Sequence, residues 1–220
     1  PNSIETVVRK WLVLSILTGR YSGSPESMFD YDIKRFNTND PEEYLKSVEL
    51  GQLSDAYWEH ILPERLNTSV ASSPYFKLYL MAQVHSGNKG FLSSQITVSA
   101  LISNRGDIHH LFPKKYLQRN GHNSRSEYNQ IANYAITQSE INNQIKDDAP
   151  NIYMKKILEQ IESKKSVIGG ILTKEQLKES FKQNCIPDEF INYDVNTYYE
   201  FLAKRRYLMS QKIRDYYFSL

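Results

Sequence analysis

The sequence predicts a mainly α-helical fold with one small embedded β element. Apolar residues recur at helical spacing over most of the 220 residues, as Val7, Val8, Trp11 and Leu12 do near the N-terminus. Strand signals, with β-branched residues beside turn residues, are confined to the middle of the chain. We therefore expect fewer than about a tenth of the residues to lie in strands.

The first hundred residues predict a bundle of five helices. Gly19 ends the first helix, and proline directly after a capping residue begins the second at Ser24-Pro25 and the third at Asp40-Pro41. The predicted helices cover residues 4–18, 25–36, 41–51, 54–65 and 74–85. No strand signal of any length interrupts them.

The strand signals begin at residue 95. Short β-branched runs at residues 96–98 and 108–112 flank a turn signal at residues 104–107, and residues 134–136 form a third short run. Helices are predicted around these runs, at residues 113–119 and 125–131 and from Thr137 or Ser139 to 146. Further helices are predicted at residues 150–164, from Thr173, and at 196–217. The sequence thus divides into a helical region at residues 1–100, a middle region at 101–165 that holds the β element, and a C-terminal helical region at 166–220.

The bulk composition excludes several classes of protein. The net charge of +2 means that binding to a polyanion must come from local patches. The single cysteine, Cys185, excludes a disulfide framework and a cysteine-based zinc site, and it favours the reducing cytoplasm. No apolar run reaches the roughly 18 residues of a membrane span, and no signal peptide is recognisable. Because the chain begins at Pro1 without an initiator methionine, we expect it to be part of a longer protein.

Two adjacent histidines, His109 and His110, are the most informative feature. They end a short apolar run and precede Pro113, which opens a basic segment. A neutral imidazole, with a pKa near ~6.5, can take a proton from water, and a second imidazole with amide oxygens can hold a divalent cation. Asp107 shares a strand face with His109 and can approach the same cation. A purely structural role for the pair is about equally consistent with the sequence alone.

The motifs around this pair resemble the HNH, or ββα-metal, nuclease motif. The resemblance rests on DIHHLFP at residues 107–113, IANY at 131–134 and EINN at 140–143. The resemblance is most specific over residues 104–157. This part of the sequence more closely resembles the C-terminal nuclease module of GmrSD-type modification-dependent restriction enzymes, which are bacterial anti-phage proteins. The segment LTGRYSGS at residues 17–24 also resembles the helical region that precedes the nuclease motif in that family.

The resemblance implies a role for each matching residue. His110 matches the general base, and His109 matches a metal ligand that is more often Asp. Asn133 matches the middle Asn, which braces the loop and orients the base, and Asn142 matches the last metal ligand. Asn143 in place of Asn142, and Asp107 as a further ligand, both remain open.

The implied activity is metal-dependent endonucleolytic hydrolysis of DNA. A ligand set without a carboxylate favours Mn²⁺, Ni²⁺ or Zn²⁺ over Mg²⁺. Lys114, Lys115 and Arg119 follow the motif and are expected to contact DNA phosphates. The cations of the last helix either contact DNA as well or form a solvated face; they are Lys204, Arg205, Arg206, Lys212 and Arg214.

The implied setting is a bacterial restriction system in the cytoplasm, acting on double-stranded and in some cases modified phage DNA. Relatives of this type carry an N-terminal ParB-like nucleotide-hydrolysing module, of which this sequence has no trace. Two alternatives stand beside the nuclease. One is a non-catalytic DNA-binding or modification-sensing module with a degenerate site, and the other is a helical interaction domain with structural histidines.

Overall fold

The computed structural model of the chain describes residues 3–104 and 106–220. Helices make up 67% of the structure, and the two strands contain four residues each, so the prediction of a mainly α fold is confirmed. No helix among the described residues has the length and apolarity needed to cross a membrane.

Five α-helices form the N-terminal part of the chain. They are α1 Ser3–Thr18, α2 Pro25–Thr38, α3 Pro41–Gln52, α4 Leu62–Arg65 and α5 Pro74–His85. Gly19 ends α1 in the left-handed conformation, with φ of 63°. The carboxylate of Asp40 caps α3 by accepting from the backbone N–H groups of Glu42 and Glu43.

The fourth predicted helix differs from an ordinary α-helix. A π-helical turn, Tyr57–Ile61, precedes α4, in place of continuous α-helix over residues 54–65. Pro63 lacks an N–H donor, and its ring would clash with the carbonyl of Glu59 in an unbroken α-helix. A wider turn directly before it accommodates this constraint.

The structure contradicts the strand predicted at residues 96–98. Thr97 caps α6 Val98–Ser103 by accepting from the N–H of Ala100, and only an isolated bridge between Lys89 and Thr97 forms there. Val98 and Leu101, one helical turn apart, are both buried. The cap and this shared buried face outweigh the β propensity of the segment. Arg105, in the predicted turn at 104–107, lies outside the described residues.

The histidines lie on the first strand of a two-stranded sheet. β1 Asp107–His110 pairs antiparallel with β2 Tyr134–Thr137, so that His109 faces Ala135 and His110 faces Tyr134. Three short helical segments connect the strands, namely α7 Lys114–Arg119, α8 Arg125–Tyr128 and the 3₁₀ turn Ile131–Asn133.

The helix that follows the sheet is α9 Ser139–Ile145, which packs against β1. Neither of the two predicted capping residues caps it, because Gln138 occupies the N-cap position. The hydroxyl of Thr137 instead donates to the carbonyl of Phe91 at 2.7 Å, which ties the end of β2 to the segment before α6.

The last third of the chain is helical, as predicted. It contains α10 Pro150–Ser163, α11 Lys174–Gln183 and α12 Tyr198–Ser219, with 3₁₀ turns at Asp188–Asn192 and Val195–Thr197. One continuous apolar core includes residues from all three regions of the sequence, such as Leu14, Phe112 and Ile213. The β element is therefore packed on the helices and not appended to them.

The second helix is fixed by a buried carboxylate. Asp32 is the buried residue of α2, while Phe29 and Ile33 on the same helix are exposed. Asp32 pairs with Arg20 and accepts hydrogen bonds from Tyr21 at 2.8 Å and Tyr44 at 2.7 Å. Burial opposes ionisation, but the bonds from Arg20, Tyr44 and Tyr21 outweigh it and hold the pKa of Asp32 below its ordinary value.

Replacing Asp32 by Ala should destabilise the chain by about 3–5 kcal/mol, because it leaves the guanidinium of Arg20, whose side chain is 7% exposed, without its partner. The stabilisation should be present at neutral pH and decline as pH falls through the lowered pKa of Asp32. Urea unfolding at several pH values measures both effects. Asp30→Ala on the same helix is the matched control, because its pair with Lys34 is exposed and worth at most ~1 kcal/mol. Equal losses in the two variants would contradict this account.

Candidate functional site

A polar groove forms where β1 meets α7 and α9. Its volume is about 470 Å³. The residues that line it are Ile108, His109, His110, Pro113, Lys114, Lys115, Asn142, Asn143, Lys146 and Asp147. Both histidines line this one groove although they are neighbours on a strand, because β1 ends at His110 and the chain turns through Leu111 and Phe112.

His109 forms the inner wall of the groove. Its ring is 1% exposed and stacks on Phe91, with ring centroids 5.8 Å apart, and the edge of Tyr153 packs against it. Its Nδ1 lies 2.7 Å from Oδ1 of Asn142 on α9. Burial lowers the pKa of His109 to about 4, so that the ring is neutral at pH 7. Its Nε2 is buried without a hydrogen-bond partner among the described residues.

His110 is half-buried and lies nearer to solvent. Its Nε2 lies 3.0 Å from Oδ1 of Asn129, the residue directly after α8, and its ring meets the ring of Tyr134 edge-on with centroids 5.0 Å apart. Burial lowers the pKa of His110 as well. The two imidazoles therefore have separate amide partners on different elements.

Among the described residues, the side chain of Asn133 makes no hydrogen bond to either histidine. It is fully buried, and its Oδ1 accepts from the N–H of Phe112 at 2.8 Å. Its Nδ2 donates to the carbonyls of Phe112 and Tyr128, and its own carbonyl accepts from the N–H of Leu111. Asn133 thus braces the turn that follows the histidines, while Asn129 is the residue that contacts the ring of His110.

Sequence reasoning missed Asn129. The available signal was its position, four residues before Asn133 and within the helix predicted over residues 125–131, which in the structure ends at Tyr128. An Asn at the C-terminal end of a helix is common, so this position alone does not distinguish a functional side chain from a capping one. Only the packing of α8 beside β1 brings its amide to His110.

Two of the expected ligands lie apart from the His109–Asn142 pair. Asp107 begins β1 opposite Thr137 and does not line the groove. Asn143 lines the groove but is exposed. Within residues 3–104 and 106–220, no group of three His, Cys, Asp or Glu side chains has the arrangement of a metal site. What the groove offers a cation is one neutral imidazole beside amide oxygens.

Lys114 and Lys115 on α7 line one side of the groove, and Arg119 lies on the same helix. Lys114 lies over the ring of Tyr128, with its Nζ 4.8 Å from the ring centroid. Lys115 and Arg119 share the carboxylate of Asp147, at 3.8 Å and 3.4 Å. All three cations are exposed and lie on α7, so an anion entering the groove from this side meets them first.

The cations of α12 have other roles. Arg205 is fully buried and donates to the carbonyls of Ala132 and Asn184, so it cannot reach a nucleic acid. Lys204 pairs with Glu200 at 2.9 Å, and Arg214 pairs with Asp55 at 2.9 Å. Burial excludes Arg205 from both of the roles considered for this helix, the solvated face and the DNA contact.

The chain matches no family model, and it has no significant match among curated proteins or among solved structures. Its function is therefore inferred from the groove, its hydrogen bonds and its charges.

Replacing Asn133 by Ala should lower the free energy of unfolding by about 2–4 kcal/mol, because it leaves the buried N–H and carbonyl of Phe112 without partners. Denaturant unfolding measures this. Asn120→Ala is the control, since Asn120 is exposed and its amide donates only to the carbonyl of Tyr116. It should change stability by no more than about 0.5 kcal/mol. A loss of unfolding free energy as small as that of the Asn120→Ala control would show that Asn133 does not brace the turn.

Proposed function

We propose that the chain is a divalent-metal-dependent endonuclease domain of the HNH type, which hydrolyses phosphodiester bonds in DNA. The observation that carries this proposal is the pair of histidines in one basic groove, each with its own amide partner. The order of β1, β2 and α9, with α9 supplying Asn142 beside His109, agrees with a ββα-metal element.

His109 and Asn142 would hold the cation. In the structure, Nδ1 of His109 donates its hydrogen to Oδ1 of Asn142 at 2.7 Å. A cation would replace that hydrogen and be held by both atoms, with the ring in the tautomer that carries its hydrogen on Nε2. The lowered pKa of His109 keeps a ring nitrogen unprotonated at pH 7, as a metal ligand requires. A divalent cation bound there supplies Lewis-acid stabilisation of the negative charge on the phosphate and the departing 3′ oxygen. Imidazole and amide ligands fit Mn²⁺, Ni²⁺ or Zn²⁺ better than Mg²⁺.

His110 would act as the general base. It lines the groove, it is partly accessible, and burial keeps it neutral by lowering its pKa. It accepts a proton from water as the water oxygen attacks phosphorus and the bond from phosphorus to the 3′ oxygen breaks. Because His109 is turned towards Asn142 and is deeply buried, His110 is the histidine that an incoming water can reach.

Lys114, Lys115 and Arg119 would bind the phosphates on either side of the scissile bond. They are exposed on one helix beside the groove, and the net charge of +2 leaves DNA binding to such a local patch. The wider setting, a cytoplasmic bacterial modification-dependent restriction system with a ParB-like nucleotide-hydrolysing partner module, is proposed from the motif resemblance alone.

A second candidate function is a non-catalytic DNA-binding or modification-sensing module. The feature that favours it is the small set of metal ligands, His109 and Asn142. Among the described residues that line the groove, the one carboxylate is that of Asp147, and it is already ion-paired with Arg119. Incubating supercoiled plasmid with the chain, across Mg²⁺, Mn²⁺, Ni²⁺ and Zn²⁺ and with EDTA, separates the two. Metal-dependent nicking or linearisation supports the nuclease, whereas DNA binding without cleavage in any metal supports the second candidate.

His110→Ala should abolish plasmid cleavage while leaving metal binding and folding nearly unchanged, since His110 acts on water and does not ligate the cation. A general base contributes about 10²–10⁴-fold. The exposed His60→Ala serves as the control and should cleave like the parent chain. Cleavage by the His110 variant within about tenfold of the parent would refute the assignment.

His109→Ala and Asn142→Ala should each weaken Mn²⁺ binding, and excess Mn²⁺ should partly restore their cleavage. Calorimetric titration measures the affinity. Asn143→Ala is the matched control, because Asn143 lines the same groove while the hydrogen bond of His109 is to Asn142. If metal affinity collapsed in the His110 variant and survived in the His109 variant, the two roles would be exchanged.

Replacing Lys114 and Lys115 together by Ala should reduce the slope of log affinity for DNA against log salt by roughly one to two units. Each lost phosphate contact removes about one released counterion. Fluorescence anisotropy over a range of salt concentrations provides the slopes. Lys34→Ala, on α2 and paired with Asp30, should leave the slope unchanged. An unchanged slope in the double variant would locate the DNA contact away from α7.

A further inference from the structure

We propose that Asn129 is the positioning residue for His110, and that it makes Nδ1 of His110 the atom that takes the proton from water. This inference rests on the proposed function and deepens it. It assigns to Asn129 the orienting role that the sequence resemblance gives to Asn133.

The contact between Asn129 and His110 involves one ring nitrogen only. Oδ1 of Asn129 lies 3.0 Å from Nε2 of His110. An amide oxygen accepts but does not donate, so Nε2 carries the hydrogen in this pair. In a neutral imidazole the other nitrogen then has the free lone pair. Nδ1 has no hydrogen-bond partner among the described residues and belongs to a side chain that lines the groove.

The ring of His110 is also held on a second side. Tyr134 meets it edge-on, with an angle of 84° between the two ring planes. Tyr134 is buried on β2, in register with His110 on β1. Because Asn129 holds the ring at Nε2 and Tyr134 packs against it, the ring of His110 keeps one orientation. Nδ1 therefore has the same position in every catalytic cycle.

Asn129 is itself held firmly. Asn129 directly follows α8, and its backbone N–H donates to the carbonyl of Arg125, the first residue of that helix. The start of α8 is fixed by a capping box between Ser124 and Glu127. The hydroxyl of Tyr198 on α12 donates to the carbonyl of Glu127 at 2.7 Å, which ties α8 to the core. Asn133 cannot take the same role, since its amide is already used by the backbone of Phe112 and Tyr128.

The tautomer of His110 is measurable without DNA or metal. Nitrogen-15 to proton correlation spectra of the whole chain, with His110→Ala used for assignment, should show His110 protonated at Nε2 with a slowly exchanging proton. Asn129→Ala should lose that proton signal to exchange with water. Asn129→Asp keeps an acceptor oxygen and should retain it, which separates loss of the acceptor from damage to α8.

Plasmid cleavage supplies the second readout. Asn129→Ala should lower kcat by roughly 10- to 100-fold, the size typical of partners that orient a functional imidazole, with little change in KM for DNA. Asn129→Asp should recover most of this loss. Asn123→Ala is the control, because Asn123 is exposed in the loop before α8 and donates only to the carbonyl of Gly121.

A parent chain in which His110 carries its proton on Nδ1 would overturn the inference, because the amide nitrogen of Asn129 would then face Nε2. So would an Asn129→Ala variant that keeps both the slowly exchanging proton and the parent kcat. If the parent chain cleaves no DNA in any metal, the proposed function fails, and the spectra alone then decide whether Asn129 sets the tautomer.

Discussion

The amide of Asn133 is the interaction on which the groove depends. The chain must turn sharply after His110, and the turn buries the N–H and carbonyl of Phe112. Asn133 satisfies both, because a carboxamide presents an acceptor and a donor side by side. Without it, an unpaired backbone group would be buried beside the histidines, at a cost of about 1–3 kcal/mol.

The rest of the molecule supports this turn from outside. Tyr153 on α10 donates to the carbonyl of Leu111 at 2.8 Å, and the buried Arg205 on α12 donates to the carbonyl of Ala132 at 2.7 Å. Two long helices of the last third therefore fix the turn after His110, at Leu111, and the residue before Asn133. This arrangement explains why a four-residue strand pair, too small to be stable alone, forms at all.

Much of the architecture follows from local sequence signals. Proline, glycine and capping residues set the ends of α1, α3 and α5 close to where they were predicted. Strands at β1 and β2 were predicted, but their pairing was not, because the turn signal at residues 104–107 placed the run at 96–98 beside β1. Asn142 beside His109 was expected from the resemblance. These features depend on contacts within one turn or on a motif of fixed spacing.

The features that the sequence did not reveal depend on tertiary packing. The segment at 96–98 has strand propensity but becomes the start of a helix, because Val98 and Leu101 are buried on one face. Asn129 contacts His110 only because α8 folds back beside β1. Arg205 belongs to a basic run that looked able to bind DNA, and its burial follows from the position of α12 against the 3₁₀ turn at Ile131–Asn133.

The central claim is that His109 and Asn142 hold a cation while His110 remains free to act on water. A crystal of the chain grown with Mn²⁺, measured for anomalous scattering at the manganese edge, tests it most directly. The account predicts an anomalous peak about 2.2 Å from a ring nitrogen of His109 and from the amide oxygen of Asn142, with His110 outside the coordination sphere. A peak coordinated by His110 or by Asp107 in place of the His109–Asn142 pair, or no peak in the groove at saturating Mn²⁺, would contradict it.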